Sequence, residues 1–264
     1  MATLIDPVVG DRKIYGSGTD QAQWLNWPGL TGLPDLNLTQ HFPERGRVLI
    51  FAPHPDDEIL GCAGLMQQLA ESGRELLLVA VTNGTGSHPQ SKRYSVEQLN
   101  VLRPQESLNA LAVLGLEHKV QRIALNIADG QVMQAESELL QQLQNWVQPE
   151  DILVTTFAQD GHPDHEATGR VVQHWARQHR QRCYQVLIWA WHWAIPADAR
   201  IPWAQARKLR LTAQQLALKQ QAIQCFKTQI EADDTIHQPP ILSAKTISRL
   251  LIPYEVYIDA TEHG

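Results

Sequence analysis

Short apolar runs, each followed by a polar turn and a stretch of helical period, restrict this chain more than any other feature. Arg47-Val48-Leu49-Ile50-Phe51-Ala52 is nearly all apolar, and residues 75–82 and 151–157 read the same way. A strand with one wet face alternates apolar and polar residues, whereas a near-continuous run belongs to a strand buried on both faces. Segments 59–71, 96–114, 136–147 and 166–179 carry helical periodicity, and Gly73 stands where the first should stop. Weaker strands are expected at 120–126, 185–190 and 255–258, and a further helix at 212–226. Strands alternating with helices at this spacing join by right-handed crossovers. The expected class is therefore α/β with a mostly parallel central sheet.

Composition narrows the function. The 264 residues are 43% apolar and 19% charged, enough for one well-packed domain. The net charge is −6 and no basic run appears, which argues against a nucleic-acid partner. The longest apolar stretches are strand-length, so no membrane span is expected. Cys62, Cys183 and Cys225 are odd in number and form no CxxC pair. A disulfide framework and a cysteine zinc site are thereby disfavoured. Residues 1–6 lack a basic segment and an apolar core, so no secretory signal and a cytoplasmic address are expected. Residues 1–45 show no period and read as an irregular N-terminal arm packed on the body, 46–264; a lid over a site is their second reading. Residues 191–211 read as an irregular surface insertion.

In a parallel sheet, ligands bind outside the carboxyl ends of the strands. Two of the loops there are rich in ligand-type residues. The first is His54-Pro55-Asp56-Asp57-Glu58, and the other is Asp160-Gly161-His162-Pro163-Asp164-His165. His54 with Asp57, and His162 with His165, stand three residues apart, so each pair can face one point across a single turn. Imidazole and carboxylate together suit zinc, and three protein ligands with an open fourth position make a catalytic site. Helix capping would explain Asp56 or Asp164 alone. It gives no reason for three histidines. No GxGxxG follows the first strand; Leu60-Gly61-Cys62-Ala63-Gly64-Leu65 stands there, which argues against a dinucleotide.

Residues 52–58 resemble the HPDDE signature of the PIG-L/LmbE family of zinc-dependent N-acetylglucosaminyl deacetylases, and residues 162–165 resemble its HPDH motif. The resemblance runs from about Gly46 through Gln229. It implies a Rossmann-like three-layer sandwich, a bound divalent metal (zinc, or ferrous iron), and removal of an acyl group from an N-acylated sugar or glycoconjugate. By the same resemblance His54, Asp57 and His165 are the metal ligands and Asp56 is the general base. His162 polarises the carbonyl, and Asp164 orients His162. Asp129-Gly130 is similar to a D-G pair whose carboxylate faces the sugar. Arg103 and Glu106 resemble an RxxE pair that helps bind substrate; otherwise they are an ordinary surface pair. The chain departs from the family at Thr82-Asn83-Gly84-Thr85, where many members carry T-R-G-E or T-D-G-E.

Trp189-Ala190-Trp191-His192-Trp193 alternates as an extended segment would, with the indoles on one side. It reads either as a core or interface stripe or as a wall on which Trp191 stacks a sugar while His192 lines the cleft. An exposed tryptophan patch would favour a homo-oligomer. His88 is placed at the rim, and His41, His118, His174, His179, His237 and His263 on the surface. Two rival readings stand beside the deacetylase: the same chemistry on a non-sugar amide or natural product, and a non-catalytic metal-binding module.

Overall fold

The structure, a computed structural model, describes residues 10–261; the reading of residues 1–6 and of His263 lies outside them. Seven strands form one sheet: β1 Val48–Ala52, β2 Leu76–Ala80, β3 Val120–Ala124, β4 Ile152–Thr156, β5 Cys183–Val186, β6 Ala206–Arg210 and β7 Tyr254–Asp259, in the order β3-β2-β1-β4-β5-β7-β6. From β3 to β5 every pairing is parallel, and β7 runs antiparallel to both neighbours.

The apolar runs do what their composition requires. Val48, Ile50 and Ala52 join one apolar layer, while Leu49 and Phe51 join the other. The period of two thus divides β1 between two cores. Helices Asp57–Glu71, Val96–Val113 and Ala213–Ile223 cover the first face, and Glu136–Trp146 and Pro163–His179 the second. The result is the three-layer sandwich.

The strand order reverses between β1 and β4. The chain leaves β1 toward β2 on one side and leaves β4 toward β5 on the other, which opens a crevice at their carboxyl ends. Both histidine loops empty into it. Close packing fixes the second: a Cβ on Gly169 would lie 2.5 Å from the Thr156 carbonyl oxygen, so the helix rests almost on β4. Thr156 Oγ1 donates to the His165 carbonyl at 3.0 Å.

Several expectations are corrected. Pro163 opens its helix, with His162 as the cap, three residues before the predicted start. The expected helix at 96–114 runs as Val96–Val113, with Pro104 inside it. Segment 191–211 is not an irregular insertion: a short helix, Ala190–Trp193, begins it and edge strand β6 ends it. The Ala244–Leu250 helix was not expected. His41 is buried, with Nδ1 2.9 Å from the Tyr184 hydroxyl.

The arm folds into three short helices, Gln21–Leu25, Pro28–Thr31 and Leu38–His41. Trp24 anchors it, fully buried, edge-to-face with Trp191 at 4.9 Å, its Nε1 donating to the Trp191 carbonyl at 3.0 Å. Since Trp24 and Trp191 pack inward, they offer no exposed patch for self-association. Among the described residues no helix is long and apolar enough to cross a membrane.

Candidate active site

His54, Asp57 and His165 meet at the β1–β4 crevice. His54 Nδ1 lies 3.2 Å from His165 Nε2 and 3.5 Å from Asp57 Oδ2, and the third edge, His165 Nε2 to Asp57 Oδ2, is 3.3 Å. Ligand atoms at zinc distances and tetrahedral angles stand about 3.3–3.4 Å apart. The triangle therefore has the size of one face of such a tetrahedron. Two ring nitrogens and a carboxylate oxygen turned on one point fit a small divalent cation.

The far nitrogens are committed elsewhere. His54 Nε2 faces Asp129 Oδ1 at 3.0 Å and Asp164 Oδ2 at 3.2 Å, and His165 Nδ1 faces Asp160 Oδ2 at 2.8 Å. A carboxylate behind each imidazole holds a proton on the outer nitrogen and leaves the inner lone pair for a metal. Burial alone would raise the Asp57 carboxyl, but His165 and His54 beside it hold it well below the usual range.

Asp164 does not orient His162. Its carboxylate accepts from the backbone N–H of Gly130 (2.7 Å) and Val132 (3.1 Å) as well as facing His54. His162 Nδ1 instead accepts the Asp164 backbone N–H at 3.2 Å, which leaves the ring proton on Nε2. Burial, with His54 and His165 nearby, pushes the His162 pKa well below its ordinary value, so the ring is a neutral donor lining the cavity. Asp129 is likewise less available to a sugar than expected, because His54 and the Gly86 N–H (2.6 Å) occupy its two oxygens.

Asp56 has φ +138°, in a region L-residues rarely adopt. Its N–H donates to Glu58 Oε2 at 3.0 Å, and its Oδ2 accepts from Arg103 Nη2 at 3.2 Å. Arg103 also donates to the carbonyls of Pro55 and Gly84, both at 2.8 Å. Gly84 is what makes room, since a Cβ there would lie 1.9 Å from Arg103 Nη1. Burial pushes the Asp56 carboxyl up to about 8, with Asp57 and Glu58 adding to the rise and Arg103 and His54 opposing it. Glu106 is no surface partner of Arg103; it is buried and accepts from Thr228 N (2.8 Å) and Oγ1 (2.7 Å).

Trp191 lies in the core against Trp24, away from the cavity; Trp189 lines it instead. His192 borders the cavity, but Nε2 donates to the Tyr15 carbonyl (3.2 Å) and Nδ1 faces Arg249 Nη1 (3.2 Å). Asp160 has a role that its sequence context does not announce. It is fully buried and accepts the N–H groups of Ile188, Trp189 and Ala190 at 2.9–3.0 Å besides holding His165. Its only signal was its place in the same loop, five residues before His165. The cavity measures about 720 Å³, and Ile14 and Tyr15 of the arm contribute to its wall.

A Rossmann-like α/β domain with a histidine–aspartate centre at its switch point is the class these features define. The PIG-L family model, described as GlcNAc-PI de-N-acetylase, matches residues 49–176. A probable N-acetyl-alpha-D-glucosaminyl L-malate deacetylase 2 of Bacillus subtilis is 30% identical over 136 residues, 47% of this chain and 58% of that protein. Diacetylchitobiose deacetylase of Thermococcus kodakarensis is 25% identical over 140 residues, 51% of each. The chain thus spans little more than half the length of these relatives. Among solved structures, A40926 pseudoaglycone deacetylase aligns with a TM-score of 0.58 at 18% identity, over 83% of this chain and all of that one. N,N'-diacetylchitobiose deacetylase of Pyrococcus horikoshii aligns at 0.53 and 17% identity, over 74% of each. At these identities the structures speak for the fold.

Proposed function

We propose that this chain is a metal-dependent N-deacylase that removes an acetyl or other acyl group from the amide nitrogen of an amino sugar or glycoconjugate. The triangle of His54 Nδ1, Asp57 Oδ2 and His165 Nε2, with edges of 3.2–3.5 Å, carries this reading. Zinc suits two imidazoles and a carboxylate, and ferrous iron is the other ion such a donor set takes. A divalent cation held there supplies Lewis acidity and a water acidic enough to react near neutral pH. Asp56 takes the proton of the attacking water and passes it to the leaving amine. Arg103 fixes the direction of that carboxylate. His162 donates an Nε2–H hydrogen bond to the amide oxygen as negative charge gathers there. Asp129 and Asp164 hold the His54 ring, and Asp160 holds His165. The unbonded cysteines Cys62, Cys183 and Cys225 support a cytoplasmic setting.

The test is primary-amine release from N-acetylated sugars, sugar conjugates and sugar-free N-acetyl amides. It is run with zinc, with ferrous iron and with chelator. Release from the sugars that chelator abolishes and a metal restores is the expected result. Release from sugar-free amides alone would move the substrate outside carbohydrates. No release from any member by metal-loaded protein would sink the deacylase.

A further inference from the structure

We propose that the cavity seats an apolar chain or ring of the substrate beside the scissile amide, against a wall that Ile14 and Tyr15 share with Ile188, Trp189 and Ile241. This rests on the deacylase reading and names the substrate class more closely. The ligand triangle and Asp56 all lie inside the matched segment, 49–176, whereas every residue of this wall lies outside it. The family match therefore takes in the reacting groups and stops short of this wall.

The chemistry of the wall is one-sided. Ile188 is buried, and Ile14, Trp189 and Ile241 are half-buried at the cavity surface. The polar side chains around them each spend at least one hydrogen bond on the protein. His192 bonds Tyr15 and Arg249, Gln229 Nε2 donates to Thr228 Oγ1 at 2.9 Å, and Gln238 Nε2 donates to the Ser87 carbonyl at 3.3 Å. A second sugar ring would need new partners for its hydroxyls, and an apolar group needs none. The volume of about 720 Å³ falls in the range of about 300–1,000 Å³ typical of sites for drug-sized ligands.

The wall is also braced. Arg249, 1% exposed, donates to the carbonyls of Ser17 and Thr19. Thr19 N–H donates to the His192 carbonyl at 2.9 Å, and Thr19 Oγ1 to that of Ala194 at 2.6 Å. Further along, Arg12 bonds Glu166 at 3.0 and 3.1 Å, and Glu166 accepts the Gly161 N–H at 2.9 Å. The arm is thereby tied to the loop that delivers His162 and His165. Within that strap Tyr15 keeps 55% of its surface open at the cavity. A preorganised apolar wall loses little entropy when a ligand lands on it.

The metal-loaded protein is tested on two series. One is glucosamine N-acylated with acetyl, butyryl, hexanoyl and octanoyl groups. The other is N-acetylglucosaminides carrying methyl, butyl, hexyl and octyl aglycones. In one of them kcat/KM should rise about three- to fourfold per buried methylene, and which one rises tells the acyl side from the aglycone side. Ile14→Ser with Tyr15→Ser, and separately Ile241→Ser, should flatten that rise. A flat response in both series, with the acetyl substrates still cleaved, overturns the inference and leaves the deacylase standing. If nothing is cleaved, the deacylase reading fails, and calorimetric titration with n-octyl β-glucoside below its micelle concentration decides the wall alone. Tighter binding than methyl β-glucoside, lost in Tyr15→Ser, supports it, and equal binding overturns it.

Discussion

At Asp56 the backbone takes a conformation that only glycine adopts freely. Such a residue costs on the order of 1–3 kcal/mol and persists where its surroundings over-determine it; Glu58 and Arg103 do so here. Asp56→Asn keeps the shape but has no basic oxygen to take a proton. Turnover should fall about 10²–10⁴-fold while one metal per chain is retained, and near-normal turnover would assign the base elsewhere. His165→Ala removes one of the three ligands proposed, so the dialysed variant should carry well under one metal per chain; full occupancy by elemental analysis would refute the ligand set. That His54 and Asp57 share one point was legible because spacing of three on a turn is a local property; that His165 joins them was not. Which carboxylate serves which ring was not legible either. Asp164 stands two residues from His162 in sequence, yet it serves His54, 110 residues away, and only the parallel pairing of β1 with β4 brings that about.

Among the elements, β1, β2 and β4 announced themselves because burial on both faces leaves few polar positions, Thr155 and Thr156 of β4 being the exceptions. Strand β6 was hidden for the opposite reason. Its sequence, Ala-Arg-Lys-Leu-Arg, looks solvated, yet Lys208 is buried and donates to the Thr31 carbonyl. The tryptophan segment alternates like a strand but coils, because Asp160 accepts consecutive N–H groups at its start. No pattern within residues 185–193 could reveal a carboxylate nearly thirty residues upstream. The seat of the Pro163–His179 helix on β4 has a direct test. In Gly169→Ala the new Cβ would lie 2.5 Å from the Thr156 carbonyl oxygen and 2.9 Å from the Ala158 backbone. The helix must shift, at a cost of about 1–3 kcal/mol, and since it carries His165, metal affinity should weaken with it. Unchanged denaturant midpoint and metal affinity would mean the contact is looser than described.

For the molecule as a whole, the arm was the least legible part, because it has no period and takes its shape from what it packs on. Trp24 is buried because Trp191 and Trp203 of the body, with Trp27 of the arm, are there to meet it. The site, by contrast, concentrates one sign of charge: Asp56, Asp57, Asp129, Asp160 and Asp164 are gathered around two imidazoles, with Arg103 the cation in contact with Asp56. Folding brings these carboxylates together whether or not an ion accompanies them. An ion that binds only the folded chain must then stabilise it, by about 2.7 kcal/mol when free ion stands 100-fold above its dissociation constant. For a chain of this size that is a rise of about 5–10 °C in the unfolding midpoint, reversed by chelator; an unmoved midpoint with metal bound would contradict it. How much of this protein a cell keeps folded would then follow its supply of trace metal, so that starvation for the ion would thin the enzyme's numbers as well as silence it.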